Sequence, residues 1–344
     1  MKSPAPLALR DVLAPEWLTE ALGQTIVSAE IVQTQKTIAT KTRFRARRED
    51  GAAIDLCVKG MLDDGPLRPG VARMSQSETR FYRQIAPSAG VATPVVRYAG
   101  IDEGSGHGLI LMEDVYAAGG RFLDPLEPYS PDRAATSLDQ LALLHARHWD
   151  GAGLERHAWL SSRLTEFVQQ PLRTPDELQA LLDDPRGDRL DGSVRRADRL
   201  IRALGALAAD VAPRTSCLVH GDAHAGNVVE IGGRTALADW QVLQRSTWAL
   251  DVAYHIGAVL SIEDRRRTER ALLEHYLNRL RSHGVDAPPW ERAWTQFRAA
   301  LVYGYYLWAI TRQVDPAVTR EFATRLGTAV ADAESFDLLI AART

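Results

Sequence analysis

Apolar and polar residues alternate in several short runs of the first 115 residues. Three of these runs have a period of two and predict half-buried β-strands: Thr25–Gln33, Thr42–Arg47 and Ala53–Lys59. The turn-forming sequence Glu49-Asp50-Gly51 separates the last two runs, which therefore predict a hairpin. Ser75–Ile85 has helical spacing, and Leu109–Met112 is a short apolar strand. We expect a small sheet with one helix in this part of the chain.

Helical spacing dominates after residue 115. Apolar residues recur at helical intervals from Leu138 to Leu144, and three long segments have the same pattern: 195–209, 264–283 and 291–311. Two short strand-like pieces, Cys217–Val219 and Thr235–Ala238, interrupt the helices. The pattern predicts an α+β fold with a small sheet lobe of residues 1–114 and a larger, mostly helical lobe of residues 115–344. We expect a ligand to bind in the cleft between such lobes.

The composition narrows the class of protein. Of the 344 residues 45% are apolar and 25% are charged, which excludes a disordered chain, a collagen and a coiled-coil rod. The formal charge of −3 provides no overall field for nucleic acid or an anionic membrane, so we expect neither as a partner. The longest nearly apolar stretch, residues 299–310, is shorter than the about 20 residues of a membrane span. Two cysteines and the lack of a signal-peptide pattern at the start predict a cytoplasmic protein.

The segment Cys217–Val229 (CLVHGDAHAGNVV) carries the densest set of chemically active side chains. Four polar residues lie between its apolar ends: His220, Asp222, His224 and Asn227. Asp239 follows shortly afterwards, so that Asp222, Asn227 and Asp239 are offered by the ends of two short adjacent strands. Carboxylate and amide oxygens are hard ligands that suit Mg²⁺. A divalent cation would also remove the repulsion between two close carboxylates.

The spacing of these residues is typical of phosphoryl transfer. His220-x-Asp222-x-x-x-x-Asn227 matches the catalytic loop of kinases, in which the Asp accepts the proton of the substrate hydroxyl and the Asn binds metal. A second Asp further along the chain binds metal at the nucleotide phosphates. Asp222, Asn227 and Asp239 fit these three roles in that order.

Lys59 and Glu78 are the candidates for a cation at the phosphates and its partner. Lys59 ends an apolar strand, as the phosphate-binding lysine of kinases does. Glu78 lies in the apolar stripe of the predicted helix, where a carboxylate is costly to bury unless it is paired. We expect Lys59 to be that partner. The alternatives are a lysine in solvent and a glutamate that reaches water from the edge of the stripe.

Seven segments together resemble one known family: CVKG, SETRFYRQIAP, LILMEDV, LLHARHW, LVHGDAHAGNVV, LADWQ and ALDVAYHI. They resemble the aminoglycoside phosphotransferase and choline-kinase group of protein-kinase-like enzymes. The sequences ADWQ, LMEDV and PEWLTEALG are most similar to the ecdysteroid-kinase-like branch. The resemblance covers most of residues 14–260 and is most specific at the catalytic loop.

The resemblance implies a two-lobed kinase-like fold and an enzyme that uses ATP and Mg²⁺. It implies transfer of the γ-phosphoryl group to a hydroxyl of a small molecule, with aminoglycoside, sugar, amino-alcohol and steroid acceptors all open. Lys59 would bind the α and β phosphates and Glu78 would orient it. Backbone groups near Glu113 and Val115 would meet the adenine edge.

The same resemblance assigns roles around the catalytic loop. Asp222 would be the catalytic base, and Asn227 and Asp239 would be the Mg²⁺ ligands. His220 would hold the loop, and Asp251 would brace it from the following helix. The alternative for Asp251 is a plain N-cap of a helix.

The sequence departs from the family in the phosphate loop. Kinase phosphate loops are commonly glycine-rich, but no glycine lies between Gly23 and Gly51. The corresponding stretch, Gln33–Phe44, offers backbone N–H groups and a few polar side chains instead: Thr37, Thr40 and either Lys36 or Lys41. The alternative is a solvated strand–turn–strand, and the choice between ATP and GTP stays open.

Two other functions compete with the kinase. His220, Asp222 and His224 alternate, and on an extended strand they would share one face, as in a metallohydrolase or a non-haem iron site. That hypothesis leaves Lys59 and Glu78 unexplained. The missing glycines fit a catalytically idle kinase-like binding module, against which the complete set of oxygen ligands argues. We therefore predict a small-molecule kinase.

Other polar and aromatic residues predict structure rather than chemistry. His145 and His148 share a helix with leucines and indicate core or capping positions. Core positions are also predicted for four aromatic residues: Tyr303, Tyr305, Tyr306 and Trp308. The run Arg265–Arg267 predicts a solvated surface.

Overall fold

The computed structural model of the protein describes residues 3–212 and 216–341. These residues form two compact units, one made of Met1–Phe122 with Val229–Val242, the other of Leu123–Val228 with Leu243–Thr344. The segment Val229–Val242 thus packs with the N-terminal unit although it lies far along the chain. The predicted division at residue 114, which assigns a nucleotide-binding and a catalytic lobe, stays a prediction.

An antiparallel sheet forms the centre of the first unit. Its strands follow the order β1-β2-β3-β5-β4. Their bounds are Ile26–Lys36 for β1, Thr40–Arg48 for β2, Ala53–Gly60 for β3, Val96–Asp102 for β4 and His107–Glu113 for β5. The three strands predicted from alternation are present, and β1 extends three residues beyond the predicted Gln33. Strand β4 was not predicted.

The alternation along β2 and β3 separates the two faces of this sheet. Phe44 and Ala46 of β2 and Leu56 and Val58 of β3 are buried in one core cluster. Short helices α1 (Leu9–Val12) and α2 (Pro15–Leu22) supply further apolar side chains to the same cluster. Because successive side chains of a strand point to opposite faces, the polar residues of β2 and β3 share the other face.

Helix α3 (Pro69–Arg80) lies against β5. It begins six residues before the predicted Ser75, and a proline at its first turn suits that start. Phe81–Ile85 continue it as a π-helical turn, and α4 (Ala86–Ala89) follows. Gly108 of β5 allows the close approach, because a Cβ there would lie 2.7 Å from the Ser75 carbonyl oxygen.

Two smaller sheets contain the short strands around the polar loop. Strands β6 (Arg121–Phe122), β8 (Val228–Ile231) and β9 (Arg234–Leu237) form one, and β7 (Cys217–Val219) pairs with β10 (Gln244–Ser246) in the other. We expected the strands that end before Asp222 and Asp239 to be adjacent, but these strands, β7 and β9, belong to different sheets. Gly232 and Gly233, both with positive φ, instead turn β9 back onto β8.

Helices make up most of the second unit. Their bounds are Pro131–Arg147 for α5, Arg163–Gln169 for α6, Pro175–Asp183 for α7, Ala197–Val211 for α8, Ala249–Val259 for α9, Ile262–Ser282 for α10, Trp290–Ile310 for α11, Pro316–Asp332 for α12 and Ser335–Ala341 for α13. Every residue of α9 is buried, as expected for a helix that is apolar on all sides. Helices α8, α10 and α11 confirm the three predicted segments, and the four aromatic residues of α11 that were predicted to be core are buried.

The arginine run Arg265–Arg267 is only partly the solvated surface that we expected. Arg265 is fully buried and forms ion pairs with Glu269 and Asp332.

No helix within the described ranges is both long enough and apolar enough to span a bilayer.

Candidate functional site

Lys59 and Glu78 form the ion pair that the helical stripe predicts. Lys59 is the penultimate residue of β3, and its Nζ lies 2.7 Å from Oε2 of Glu78 on α3. Only 4% of the Lys59 side chain is exposed. Both side chains are buried, so that each charge depends on the other for compensation.

Asp239 is a third member of this cluster. It lies within the segment Val229–Val242, which packs with the first unit, and its Oδ1 lies 2.9 Å from Lys59 Nζ. Its Oδ2 lies 3.6 Å from Nζ of Lys41. Asp239 has a φ of 67°, a left-handed conformation that is strained for a residue with a side chain. The strain indicates that neighbouring contacts hold this carboxylate in place.

Trp240 provides those contacts. Its backbone N–H donates a hydrogen bond of 3.3 Å to Oε1 of Glu78. Its ring stacks on Phe81, with 3.8 Å between the ring centroids. The residue after Asp239 is therefore anchored to α3 by both its backbone and its side chain.

The pKa directions follow from burial and from these partners. Burial disfavours the charged form of Lys59, but Asp239 and Glu78 outweigh it, and the pKa of Lys59 lies above its ordinary value. Burial raises the pKa of Glu78, and the charge of Lys59 opposes that rise. Lys59 is thus a permanent cation held between two acidic groups.

The structure places Glu113 and Val115 in the connection after β5. The N–H of Glu113 donates to the Val95 carbonyl at 2.8 Å, and its carboxylate pairs with Arg97. The Val115 carbonyl accepts a hydrogen bond of 2.8 Å from Gly120. Two of the four backbone groups of Glu113 and Val115 are thereby engaged.

Asp114, between them, is buried and forms an ion pair with Arg43 of β2. Arg43 Nε lies 2.8 Å from Asp114 Oδ2, and its guanidinium lies 4.7 Å above the ring of Tyr116. This pairing anchors the connection to the polar face of the sheet.

In the second unit, the loop after β7 carries Asp222 and Asn227. Asn227 Nδ2 donates to the Asp222 backbone carbonyl at 2.8 Å and to Asp222 Oδ2 at 3.1 Å. Both partners are acceptors, which fixes the orientation of the amide and makes its Oδ1 the atom that can bind a cation. The structure therefore brings Asp222 and Asn227 together. Asp239 belongs to the other unit.

Asp251 holds the backbone of this loop. Its Oδ2 accepts a hydrogen bond of 2.7 Å from His220 N, and its Oδ1 accepts one of 2.8 Å from Gly221 N. His145 Nε2 lies 3.0 Å from the same Oδ2. Asp251 is the third residue of α9 and is fully buried, so the alternative of an N-cap is wrong. His145 is a core residue, as predicted.

Tyr254 and Trp308 position the Asp222 side chain and were not predicted to do so. Tyr254 Oη donates to Asp222 Oδ1 at 2.9 Å, and Trp308 Nε1 donates to Tyr254 Oη at 2.7 Å. Burial raises the pKa of Tyr254 well above its ordinary value, and the charge of Asp222 adds to the effect. Gly304 lets the ring lie against α11, because a Cβ there would be 2.7 Å from Tyr254 Cδ2.

One sequence signal does point to Tyr254. Asp251, Tyr254 and His255 occupy positions i, i+3 and i+4 of α9, which lie on one face of a helix. If Asp251 faces the loop, the other two must face it as well. His255 Nδ1 lies 2.7 Å from the Ala223 carbonyl oxygen, so all three contact residues 220–223.

The competing two-histidine metal site lacks the geometry on which it depends. Strand β7 ends at Val219, and Gly221 has a φ of 82°, so residues 220–224 are not an extended strand with one shared face. His220 Nδ1 accepts a hydrogen bond of 3.2 Å from Asp222 N, and His224 Nδ1 accepts one of 3.1 Å from Gly226 N. In the part of the chain that the structure describes, no group of three His, Cys, Asp or Glu side chains is arranged to hold a metal.

A family model described as the phosphotransferase enzyme family matches residues 47–297. No curated protein matches the sequence. Among solved structures, the GDP complex of wild-type aminoglycoside 2′-phosphotransferase-IIIa has a TM-score of 0.54 at 15% identity and is aligned over 92% of this chain and 96% of that chain.

Two further solved structures are similar. A microcompartment-associated aminopropanol kinase has a TM-score of 0.51 at 16% identity, over 90% of this chain and 94% of that chain. An ethanolamine kinase of Plasmodium vivax has a TM-score of 0.50 at 11% identity, over 92% and 86%. These likenesses confirm the predicted kinase-like α+β fold.

The family match covers well over half of the chain and confirms the resemblance to the phosphotransferases. The ecdysteroid-kinase-like branch stays a prediction. The chain belongs to the phosphotransferase enzyme family and is a small-molecule kinase.

Proposed function

We propose that this kinase transfers the γ-phosphoryl group of ATP to a hydroxyl of a small molecule and requires Mg²⁺. The observation that carries the proposal is the buried Lys59, which Glu78 and Asp239 hold at 2.7 and 2.9 Å. This cluster places a fixed cation, which suits a phosphate, beside a carboxylate, which suits a metal. A solvated lysine would supply neither a fixed position nor a water-poor environment.

The residues present fit a magnesium nucleotide. Asp239 has 20% of its side chain exposed, enough for an oxygen to reach a ligand. The Asn227 amide is oriented so that its oxygen is the ligating atom, because its nitrogen already donates twice to Asp222. Asp239 and Asn227 each offer an oxygen of the hard kind that Mg²⁺ prefers.

Each remaining nucleotide contact has a residue that suits it. The bound nucleotide supplies a phosphoryl group on a good leaving group, with Mg²⁺ offsetting its charge. Lys59 binds the α and β phosphates, and Glu78 keeps the ammonium oriented. We assign the adenine edge to the Glu113 carbonyl and the Val115 N–H, since the Glu113 N–H and the Val115 carbonyl already have partners.

Asp222 is the proposed catalytic base. Its side chain is 27% exposed, so that a hydroxyl can approach a carboxylate whose orientation Tyr254 and Asn227 set. The carboxylate would accept the hydroxyl proton as the acceptor oxygen attacks phosphorus. Correct positioning of such a base converts a slow encounter into an intramolecular step.

A screen of acceptors tests the activity. Purified protein is incubated with ATP and Mg²⁺ and with panels of amino alcohols, sugars, aminoglycosides and steroids that carry hydroxyl groups. We expect ATP consumption with one panel and a product whose mass is greater by one phosphoryl group. Failure of the protein to bind any nucleotide would contradict the proposal and favour a catalytically idle binding module.

Substitution of Asp222 tests the mechanism. Asp222→Ala and the isosteric Asp222→Asn both lack a basic oxygen, so we expect transfer to fall by at least about 100-fold while ATP still binds. Calorimetric titration with ATP checks the binding. Full transfer activity in Asp222→Asn would exclude the assigned role.

A further inference from the structure

The residue opposite Lys59 in the sheet is a second lysine. Strands β2 and β3 pair in a register that places Lys41 directly across from Lys59. Residues directly opposite each other in an antiparallel pair point to the same face. The two ammonium groups therefore extend from one face of the sheet, and both lie within ion-pair distance of Asp239.

The turn before Lys41 explains why a second cation is needed there. Residues 37–39 connect β1 to β2 without a glycine, and Thr37 N donates a hydrogen bond of 3.0 Å to the Ala39 carbonyl. A glycine-rich loop binds phosphate through several backbone N–H groups that converge on it. This turn closes on itself instead, so that positive charge must come from side chains.

Two arginines on the same face of β2 have other partners. Arg43 pairs with Asp114 at 2.8 Å, and Arg45 pairs with Asp55 at 2.8 Å. Lys41, whose side chain is 34% exposed, pairs with Asp239, which is the proposed metal ligand. Of these three cations, Lys41 is thus the one whose partner would change when a magnesium nucleotide binds.

The charges of the cluster balance only while Asp239 is free of metal. Lys41 and Lys59 together offset Glu78 and Asp239. When Mg²⁺ takes the charge of Asp239, Lys59 keeps Glu78 as its partner, but Lys41 has lost its counter-ion. A cation of this kind moves to the nearest available anion, because an uncompensated charge at a partly buried position is costly.

We propose that Lys41 is a second phosphate-binding cation, which pairs with Asp239 in the ligand-free protein and transfers to the phosphate chain of the magnesium nucleotide. In this way it takes the place of the missing glycine-rich loop. The inference rests on the proposed function, since it assumes that a nucleotide binds at Lys59. It concerns which residue holds the phosphates, not whether they are held.

Calorimetric titrations of four proteins test this inference: the wild type, Lys41→Gln, Lys41→Arg and Lys36→Gln. Lys36 is the matched control, since it lies on the same hairpin, is 54% exposed and pairs with Asp64 outside the cluster. The ligands are adenosine, which lacks phosphates, and ATP and inorganic tripolyphosphate, each with Mg²⁺. Mn²⁺ alone, followed by water-proton relaxation, reports the affinity of the free carboxylates for a divalent cation.

We expect Lys41→Gln to weaken ATP and tripolyphosphate by about 10- to 100-fold, the loss of one charged hydrogen bond, and to leave adenosine unchanged. Lys41→Arg should recover most of the affinity, and Lys36→Gln should match the wild type. Lys41→Gln should also bind Mn²⁺ at least as tightly as the wild type, because Asp239 has lost a competing cation. Structural damage would instead weaken the binding of ATP and of Mn²⁺ together.

Two outcomes separate this inference from the function on which it rests. If the wild type binds ATP and Lys41→Gln binds it equally well, the role of Lys41 is wrong and the kinase proposal stands. If Lys41→Gln loses Mn²⁺ as well as ATP, Lys41 maintains the fold of the cluster and the inference is overturned. If the wild type binds no nucleotide, both proposals fail.

Discussion

Tyr254 donates a hydrogen bond of 2.9 Å to Asp222, and the direction of that bond is fixed by a third residue. The indole N–H of Trp308 can only donate, so Tyr254 Oη must accept from it at 2.7 Å. The hydroxyl hydrogen of Tyr254 is thereby left for Asp222 Oδ1. Asn227 donates to the other carboxylate oxygen. Both oxygens of the proposed base are therefore held by hydrogen-bond donors, neither of which competes with Asp222 for the proton of the acceptor hydroxyl.

Removal of the Tyr254 hydroxyl should slow phosphoryl transfer without weakening nucleotide binding. Tyr254→Phe keeps the buried ring but lets the Asp222 carboxylate rotate, and we expect kcat to fall by about 10- to 100-fold. KM for ATP should stay within about twofold, because Tyr254 does not belong to the proposed nucleotide contacts. Steady-state kinetics measures both quantities.

Tyr305→Phe is the matched control for this experiment. Tyr305 is an equally buried tyrosine, and its hydroxyl donates to the Val194 carbonyl at 3.0 Å, away from the loop. Tyr305→Phe should lose about 1 kcal/mol of stability, the usual net value of a hydrogen bond, and Tyr254→Phe should lose more, because it also leaves Trp308 Nε1 without its acceptor. An equal loss of kcat in Tyr305→Phe would mean that Tyr254 acts through stability alone.

Asp251 should be essential for the loop that carries Asp222. Asp251→Ala leaves the N–H groups of His220 and Gly221 buried without an acceptor and His145 Nε2 without its partner. We expect a loss of about 3–5 kcal/mol in the free energy of unfolding, measured with urea. Asp251→Asn keeps one acceptor oxygen and should lose less. Equal stability of Asp251→Ala and the wild type would contradict this account.

The sequence predicts those helices and strands in which apolar residues recur with one clear period. The alternation of β2 and the long apolar stripes of α10 and α11 identify those elements without any tertiary information. Strand β4 was missed because VRYAGID does not alternate, and its middle residues are partly buried on both faces. Arg265 was assigned to the surface because its partner Asp332 lies on α12, far along the chain.

The candidate site follows the same rule. The pairing of Lys59 with Glu78 was predictable, because a carboxylate in an apolar stripe requires a partner and a strand lysine was at hand. The hydrogen bond of the Tyr254 hydroxyl to Asp222 and the choice of Lys41 over Lys36 depend on contacts that only the tertiary structure defines. An aromatic residue in an apolar helix indicates core, and Tyr254 is core in every respect except its hydroxyl.

The buried charge cluster makes a prediction that separates stability from binding. Lys59→Met leaves Glu78 and Asp239 without their central cation and should cost about 3–5 kcal/mol in the free energy of unfolding. Asp239 keeps Lys41 at 3.6 Å, so that Glu78 is the carboxylate left without a cation. Adding Glu78→Gln removes that charge and should recover a large part of the loss. Calorimetric titration should nevertheless show that the double variant still binds ATP poorly, because the proposed phosphate-binding cation is absent.

A double variant that regains no stability would contradict the charge argument. If Lys59→Met/Glu78→Gln is no more stable than Lys59→Met, the loss comes from packing rather than from an unpaired carboxylate. Glu78→Gln alone provides the control, since its amide oxygen can still accept the hydrogen bond from Trp240 N. We expect that variant to lose less stability than Lys59→Met.

His255 should make the folded protein sensitive to acid. Its Nδ1 donates to the Ala223 carbonyl, its Nε2 has no hydrogen-bond partner among the described residues, and the ring packs on Tyr129. Burial lowers the pKa of His255 to about 4. In the unfolded chain the pKa returns to about 6.5, so that below this pH the unfolded state binds a proton that the folded state excludes.

The free energy of unfolding should therefore fall as the pH is lowered from about 6.5 to about 4, by about 3 kcal/mol from this group. His255→Asn does not titrate and still offers an N–H to the Ala223 carbonyl, so its stability should depend less on pH over this interval. Urea unfolding of both proteins at several pH values measures the two slopes. Parallel slopes would show that the pKa of His255 is the same in the folded and unfolded states. The burial of its Nε2 without a hydrogen-bond partner among the described residues argues against that result.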